Sequence, residues 1–200
     1  DLPPPLPVAI ASAATQGDAT TILEWLSSEP DGCVNATCEA PNGAVRGITM
    51  LMLAASFGRA HLMEALLDHG AEIDRHSSIG NTALMYAAIS GQAQIVELLV
   101  QRKANLDMQN RRGFTPLMYA THAGHSAVLV LLGSAGANAD LRSIDGRTAL
   151  QMAEKQEQRV APDSPAAAPP NTECSTSVAD GTANEAVREE AEVDGLRAKM

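Results

Sequence analysis

The chain has 200 residues, 45% of them hydrophobic but only 2% aromatic, with 14 Lys and Arg against 24 Asp and Glu for a net charge of −10. Such a composition builds one modest domain plus a tail, with alanine, leucine and methionine filling a thin core in place of large rings. The acidic balance argues against nucleic-acid binding, which needs a basic face to neutralise phosphates, and no apolar run approaches the roughly 20 residues that insert in a bilayer.

Residues 1–6 form a proline-rich lead without the basic n-region of a secretory signal, so an intracellular, cytoplasmic protein is expected, a nuclear one staying open. The chain starts on Asp1 with no initiator methionine, as a piece of something longer would. Residues 7–46 read as a divergent first unit: Ile10–Gly17 predicts a short helix closed by glycine, and Ile22–Leu26 a second. Asn35 to Gly47 is 12 residues where Asp74 to Gly80 is 6, which predicts an enlarged loop over 36–46.

From Gly47 the chain becomes periodic. Gly47-Ile48-Thr49-Met50-Leu51 returns as Gly80-Asn81-Thr82-Ala83-Leu84, Gly113-Phe114-Thr115-Pro116-Leu117 and Gly146-Arg147-Thr148-Ala149-Leu150, each glycine 33 residues from the next. A period in that range means a stacked array in place of a single closed core. In each period the threonine stands where a hydroxyl caps a helix N-terminus, and Pro116 sits just inside, where its missing N–H costs nothing. Gly58, Gly91 and Gly124 follow 11 residues after the leading glycine and end that helix. Apolar residues at i, i+3, i+4 spacing, such as Ile95, Val96, Leu98 and Leu99, then predict a second helix. The unit closes on Gly70-Ala71, Lys103-Ala104 or Gly136-Ala137 and a segment ending in Asp74, Asp107 or Asp140.

This pattern resembles the ankyrin repeat family, whose consensus runs G-x-T-P-L-H-x-A-A-x-x-G and ends on a glycine-alanine turn. The resemblance implies an all-α solenoid of helix-turn-helix units joined by extended loops, with repeats over 47–79, 80–112 and 113–145. Two departures stand out. Met52, Met85, Met118 and Gln151 replace the histidine of the consensus, and Lys103 replaces the turn glycine.

Residues 146–159 make a partial unit whose polar helix, with Glu154, Lys155 and Gln156, suits the wettable end of an array. Residues 160–200, rich in Ala and Pro and acidic toward Glu189, Glu190 and Glu192, predict a disordered tail.

No residue set assembles a nucleophile, base and orienter, and there is no Gly-x-Ser-x-Gly, phosphate-cradling loop or His-Glu-x-x-His, so the chain reads as a non-enzyme without a cofactor. Cys33, Cys38 and Cys174 lack the second pair a zinc site needs; reduced thiols are expected, a Cys33–Cys38 disulfide being the other reading. His122 and His125 straddle the break at Gly124, where His125 is expected to pack and bond the turn.

What remains is surface. The resemblance implies that a monomeric array binds a protein partner along its concave side, formed by loop tips and exposed parts of the first helices. The positions are Arg46, Ile48, Phe57, Ile79, Asn81 and Tyr86, followed by Ile89, Arg111, Arg112, Phe114, Tyr119, His122 and Arg147. Four of the five aromatic residues fall among them, and aromatic and arginine side chains dominate interface energies. A structural reading stands beside it, in which Tyr86 and Tyr119 cover the groove between helix pairs and Phe57 and Phe114 pack within a loop. Arg111, Arg112, Arg142 and Arg147 form a basic strip suited to an acidic partner segment. A regulatory or targeting segment of a larger enzyme or signalling protein, or an inhibitor of a partner enzyme, are the alternatives.

Overall fold

In a computed structural model the described residues are 5–28, 33–40 and 45–160. Nine helices form among them. Helices α1 (Val8–Gln16) and α2 (Ala19–Ser28) make the first pair, α3 (Met50–Ser56) and α4 (Ala60–Asp68) the second. Then come α5 (Ala83–Ile89) with α6 (Ala93–Gln101), α7 (Pro116–Ala123) with α8 (Ser126–Ser134), and α9 (Ala149–Val160).

The starts are set by the threonines. Thr49, Thr82 and Thr115 accept from the backbone N–H of Met52, Met85 and Met118 at 3.3, 3.4 and 3.2 Å. At α9 the cap is reciprocal: Thr148 accepts from Gln151 N–H at 3.4 Å while the Gln151 amide oxygen accepts from Thr148 N–H at 3.1 Å. The stops are set by glycines such as Gly124, whose φ of 72° reverses the chain toward α8.

The odd-numbered helices stack in one row (α1 on α3, α3 on α5, α5 on α7, α7 on α9), and α2, α4, α6 and α8 in a second. Contacts therefore run between neighbouring units, and stability is close to a sum of unit and interface terms. The inner row is the drier one: every residue of α3 and α5 is buried. Met52, Met85 and Met118, which replace the consensus histidine, lie in this core at 1% exposure or less, where unbranched thioethers fill the space between stacked helices.

The described part of the enlarged loop, residues 36–40 and 45–46, is more ordered than the sequence suggested. After a 3₁₀ turn at Cys33–Asn35, strand β1 (Thr37–Cys38) pairs antiparallel with β2 (Ile48–Thr49), and Pro5 bridges to Thr37 in parallel. Ala36, Ala40 and Val45 are buried beneath it. Cys38 carries a free thiol, which corrects the disulfide reading, and burial pushes its pKa up to about 11. All but one of the residues read as a C-terminal tail, 161–200, lie outside the described residues.

Lys103 takes φ of 67°, the one positive value at a non-glycine residue among the described residues. The left-handed conformation costs an L-residue about 1–2 kcal/mol, while the equivalent glycines, Gly70 and Gly136, sit in open space. We therefore expect Lys103→Gly to raise stability by roughly 1 kcal/mol. A urea melt without an upward shift would refute this.

Candidate loop-face interface

Between one unit and the next the chain makes a tight projecting loop. Asn110 N–H donates to Phe114 carbonyl at 3.0 Å and Gly113 N–H to Asn110 carbonyl at 2.9 Å, and the loops at Ser77 and Ser143 repeat both bonds. The loops are then tied side by side: Ser78 N–H donates to Arg46 carbonyl at 2.7 Å, Arg111 N–H to Ile79 carbonyl at 3.0 Å, and Ile144 N–H to Arg112 carbonyl at 2.9 Å. This ladder lines up the tips.

A second ladder runs behind the tips. Asn35 Oδ1 accepts from Glu72 N–H, Asp74 Oδ1 from Asn105 N–H and Asp107 Oδ1 from Asn138 N–H, at 2.9, 3.0 and 2.8 Å. A third runs at the opposite end of the inner helices. Arg59 Nε donates to Thr15 carbonyl at 2.8 Å, Gln92 Nε2 to Ser56 carbonyl at 3.5 Å, and His125 Nε2 lies 3.0 Å from Ile89 carbonyl. Each of these side chains covers the helix-ending glycine of the unit before it: Arg59 lies over Gly17, Gln92 over Gly58 and His125 over Gly91. The packing role expected for His125 is what the geometry shows.

One buried network joins two loops. Asn110 Nδ2 donates to Asn81 Oδ1 at 2.8 Å and lies 2.7 Å from the Tyr119 hydroxyl, which itself donates to Asn81 Oδ1 at 3.3 Å. Asn110 Oδ1 accepts from the N–H groups of Arg112 and Phe114, both at 2.9 Å. The Phe114 and Tyr119 rings pack tilted at 5.2 Å between centroids, and the Arg112 guanidinium lies 5.0 Å from the Phe114 centroid.

This geometry divides the thirteen positions singled out in the sequence. Arg46 and Arg111 are exposed, and Phe57, Ile79, Arg112, His122 and Arg147 are half-buried. Ile48, Asn81, Tyr86, Ile89, Phe114 and Tyr119 are buried, none above 6% exposure. The rings of Tyr86 and Tyr119 are therefore internal and do not stand open on the concave side. With so few large side chains, the array spends its aromatic residues on sealing adjacent units. Substituting Tyr86, Phe114 or Tyr119 would test stability before it tested binding.

The loops gather charge. Of the nine Lys and Arg in residues 1–153, six lie in or beside them: Arg46, Arg75, Arg111, Arg112, Arg142 and Arg147. At the N-terminal end, β1 and the neighbouring loops enclose a cleft of about 480 Å³ whose walls include Cys38, Glu39, Arg46, Arg75, His76 and Arg111. Arg46 pairs with Glu39 at 3.2 Å and Arg75 with Glu72 at 3.0 Å. The sequence reading missed Arg75 and His76, because the cleft exists only once residues 37–38 fold against β2.

Comparison with protein families agrees with the repeat geometry. The model for ankyrin repeats (3 copies) matches residues 10–110, half of the chain, and the model for ankyrin repeats (many copies) matches residues 99–153. The chain belongs to the ankyrin repeat family. No curated protein matches it. Ankyrin repeats are generally protein–protein interaction modules and typically non-catalytic. Among the described residues no helix is long and apolar enough to cross a membrane, and no cluster of His, Cys, Asp and Glu could hold a metal ion.

Proposed function

We propose that this ankyrin array is a non-enzymatic interaction module that binds a protein partner through its loop face and the accessible edge of its inner helices. The units divide as 47–79, 80–112 and 113–145, between a first unit over 7–46 and a partial cap over 146–159. The observation that carries the reading is the segregation of cations onto the loop tips of a protein whose net charge is −10. Six of the nine cations of residues 1–153 lie in or beside these loops, and three of them, Arg46, Arg111 and Arg142, are exposed there.

The contact residues are Arg46, Phe57, Ile79, Arg111, Arg112, His122 and Arg147, with a partner segment rich in Asp and Glu. The arginines steer the encounter and fix register, and the half-buried Phe57 and Ile79 supply apolar contact. Ile48, Asn81, Tyr86, Ile89, Phe114 and Tyr119 hold the surface from beneath.

The test is retention of a protein from lysate by the full chain and by a variant carrying Ile79→Ser, Arg112→Glu and His122→Ala, with circular dichroism confirming that the variant folds. We expect loss of the partner with the folded variant. Unchanged retention would remove the loop face from the account.

A further inference from the structure

The cleft at the N-terminal end of the loop face is a concave cationic feature. Its walls bring together Arg46, Arg75 and Arg111 from three successive units, with His76 beside them. Against these stands Glu39, which already pairs with Arg46. Arg111 is exposed, and Arg75 keeps 28% of its side-chain surface while paired with Glu72. Three guanidinium groups on fixed backbone, two of them with a single acid each, leave a local excess of positive charge. A peptide bearing several carboxylates would meet it with charge-assisted hydrogen bonds.

The chain holds such a peptide. Residues 185–194 read Glu-Ala-Val-Arg-Glu-Glu-Ala-Glu-Val-Asp, five acids against one base. They follow the end of α9 by 24 residues. Extended, 24 residues reach on the order of 80 Å. From α9 the route passes α7 to the α3–α5 units, two or three helix spacings of roughly 8–10 Å each. α9 leads 12 residues away from the loop face, adding about 18 Å to the route, so the tether exceeds the distance about twofold, and tethering on this scale supplies an effective concentration in the millimolar range. Even a weak charge contact is then substantially occupied.

We infer that residues 185–194 dock in the cleft formed by Arg46, Arg75, His76 and Arg111, so that the chain's own acidic segment occupies part of its loop face. The contact stands on the cleft and on the sequence of that segment. Its consequence, competition with an acidic partner, rests on the function proposed above. Partner and segment would share Arg46 and Arg111, and a partner would bind more tightly once the segment is neutralised.

The experiment uses full chains. One is native, and one carries Glu185→Gln, Glu189→Gln, Glu190→Gln, Glu192→Gln and Asp194→Asn. Each is titrated against a fluorescein-labelled synthetic peptide of residues 184–195, read by anisotropy at low salt. We expect the neutralised chain to bind the peptide at least about fivefold more tightly than the native chain, whose own segment competes. Adding Arg75→Glu or, separately, the exposed Arg111→Glu to the neutralised chain should weaken binding about tenfold without changing its circular dichroism. Equal affinity of the native and neutralised chains would overturn the proposal, as would binding indifferent to both arginine substitutions. The retention assay above uses Ile79, Arg112 and His122, none of which lines the cleft, so a partner can be found there even if the peptide fails here.

Discussion

Gly113→Ala should lower the stability of the array by about 3 kcal/mol or more, whereas Gly146→Ala, at the equivalent position one unit later, should cost only about 1 kcal/mol. Both glycines hold positive φ, 74° and 75°, so the intrinsic cost of an L-residue is the same. They differ in what stands above them. A Cβ built on Gly113 would come within 2.9 Å of the Ser143 Cα and the Ile144 backbone nitrogen, while one on Gly146 meets nothing within 4 Å. The obstacle at Gly113 is backbone held by the Ile144-to-Arg112 bond, so it cannot rotate away as a side chain would. Either that bond lengthens or the last loop lifts, and both unseat the interface between neighbouring units.

Gly80 repeats the crowding, with the Asn110 Cα and Arg111 nitrogen at 2.9 Å, and Gly47 relaxes it, its nearest atom being Ser77 Cα at 3.8 Å. Urea melts of the four alanine variants should rank Gly80 and Gly113 as the costly pair, Gly47 below them and Gly146 last. A flat series would mean that the loops do not stack as closely as described.

The second large effect lies at Asn110. Asn110→Ala removes the side chain that accepts from the N–H groups of Arg112 and Phe114 and links Asn81 with Tyr119. The Phe114 N–H and the Asn81 and Tyr119 side chains are buried and the Arg112 N–H partly so, and each buried polar group left unpaired costs about 1–3 kcal/mol. We expect a net loss of about 2–4 kcal/mol. The chain contains its own control, because Ser77 and Ser143 occupy the same place in the loops before and after. Their hydroxyl oxygens are buried without a hydrogen-bond partner. Removing an unpaired hydroxyl relieves a desolvation cost, so Ser77→Ala and Ser143→Ala should be neutral or slightly stabilising. Equal losses at all three positions would show that the loop depends on shape there and owes nothing to the network.

Local signals made most of the fold legible. Thr49, Thr82, Thr115 and Thr148 mark helix starts by a bond that spans three residues, and Gly124 marks a stop by a single dihedral. A 33-residue period then copies each rule to the next unit. The hairpin at Thr37 was not legible, since two-residue strands carry no alternation to read and their pairing depends on the distant Ile48.

The site was legible only in part for a related reason. Periodicity tells which residues share a position in the unit, and it placed Arg46, Arg111 and Arg112 at the loops. It does not tell how much of a position the next unit covers. Tyr119 and Phe114 look like ideal surface anchors as residue types, yet the unit stacked alongside buries both. Asn110 was passed over because its side-chain partners, Tyr119 and Asn81, lie 9 and 29 residues away, a relation that no spacing rule announces.

The most direct test of the loop face is hydrogen–deuterium exchange of the full chain with and without the protein it retains from lysate. The account calls for new protection at residues 75–79, 109–114 and 142–147, with the outer helices α4, α6 and α8 unchanged. Protection confined to those outer helices, with the loops exchanging as freely as before, would contradict it.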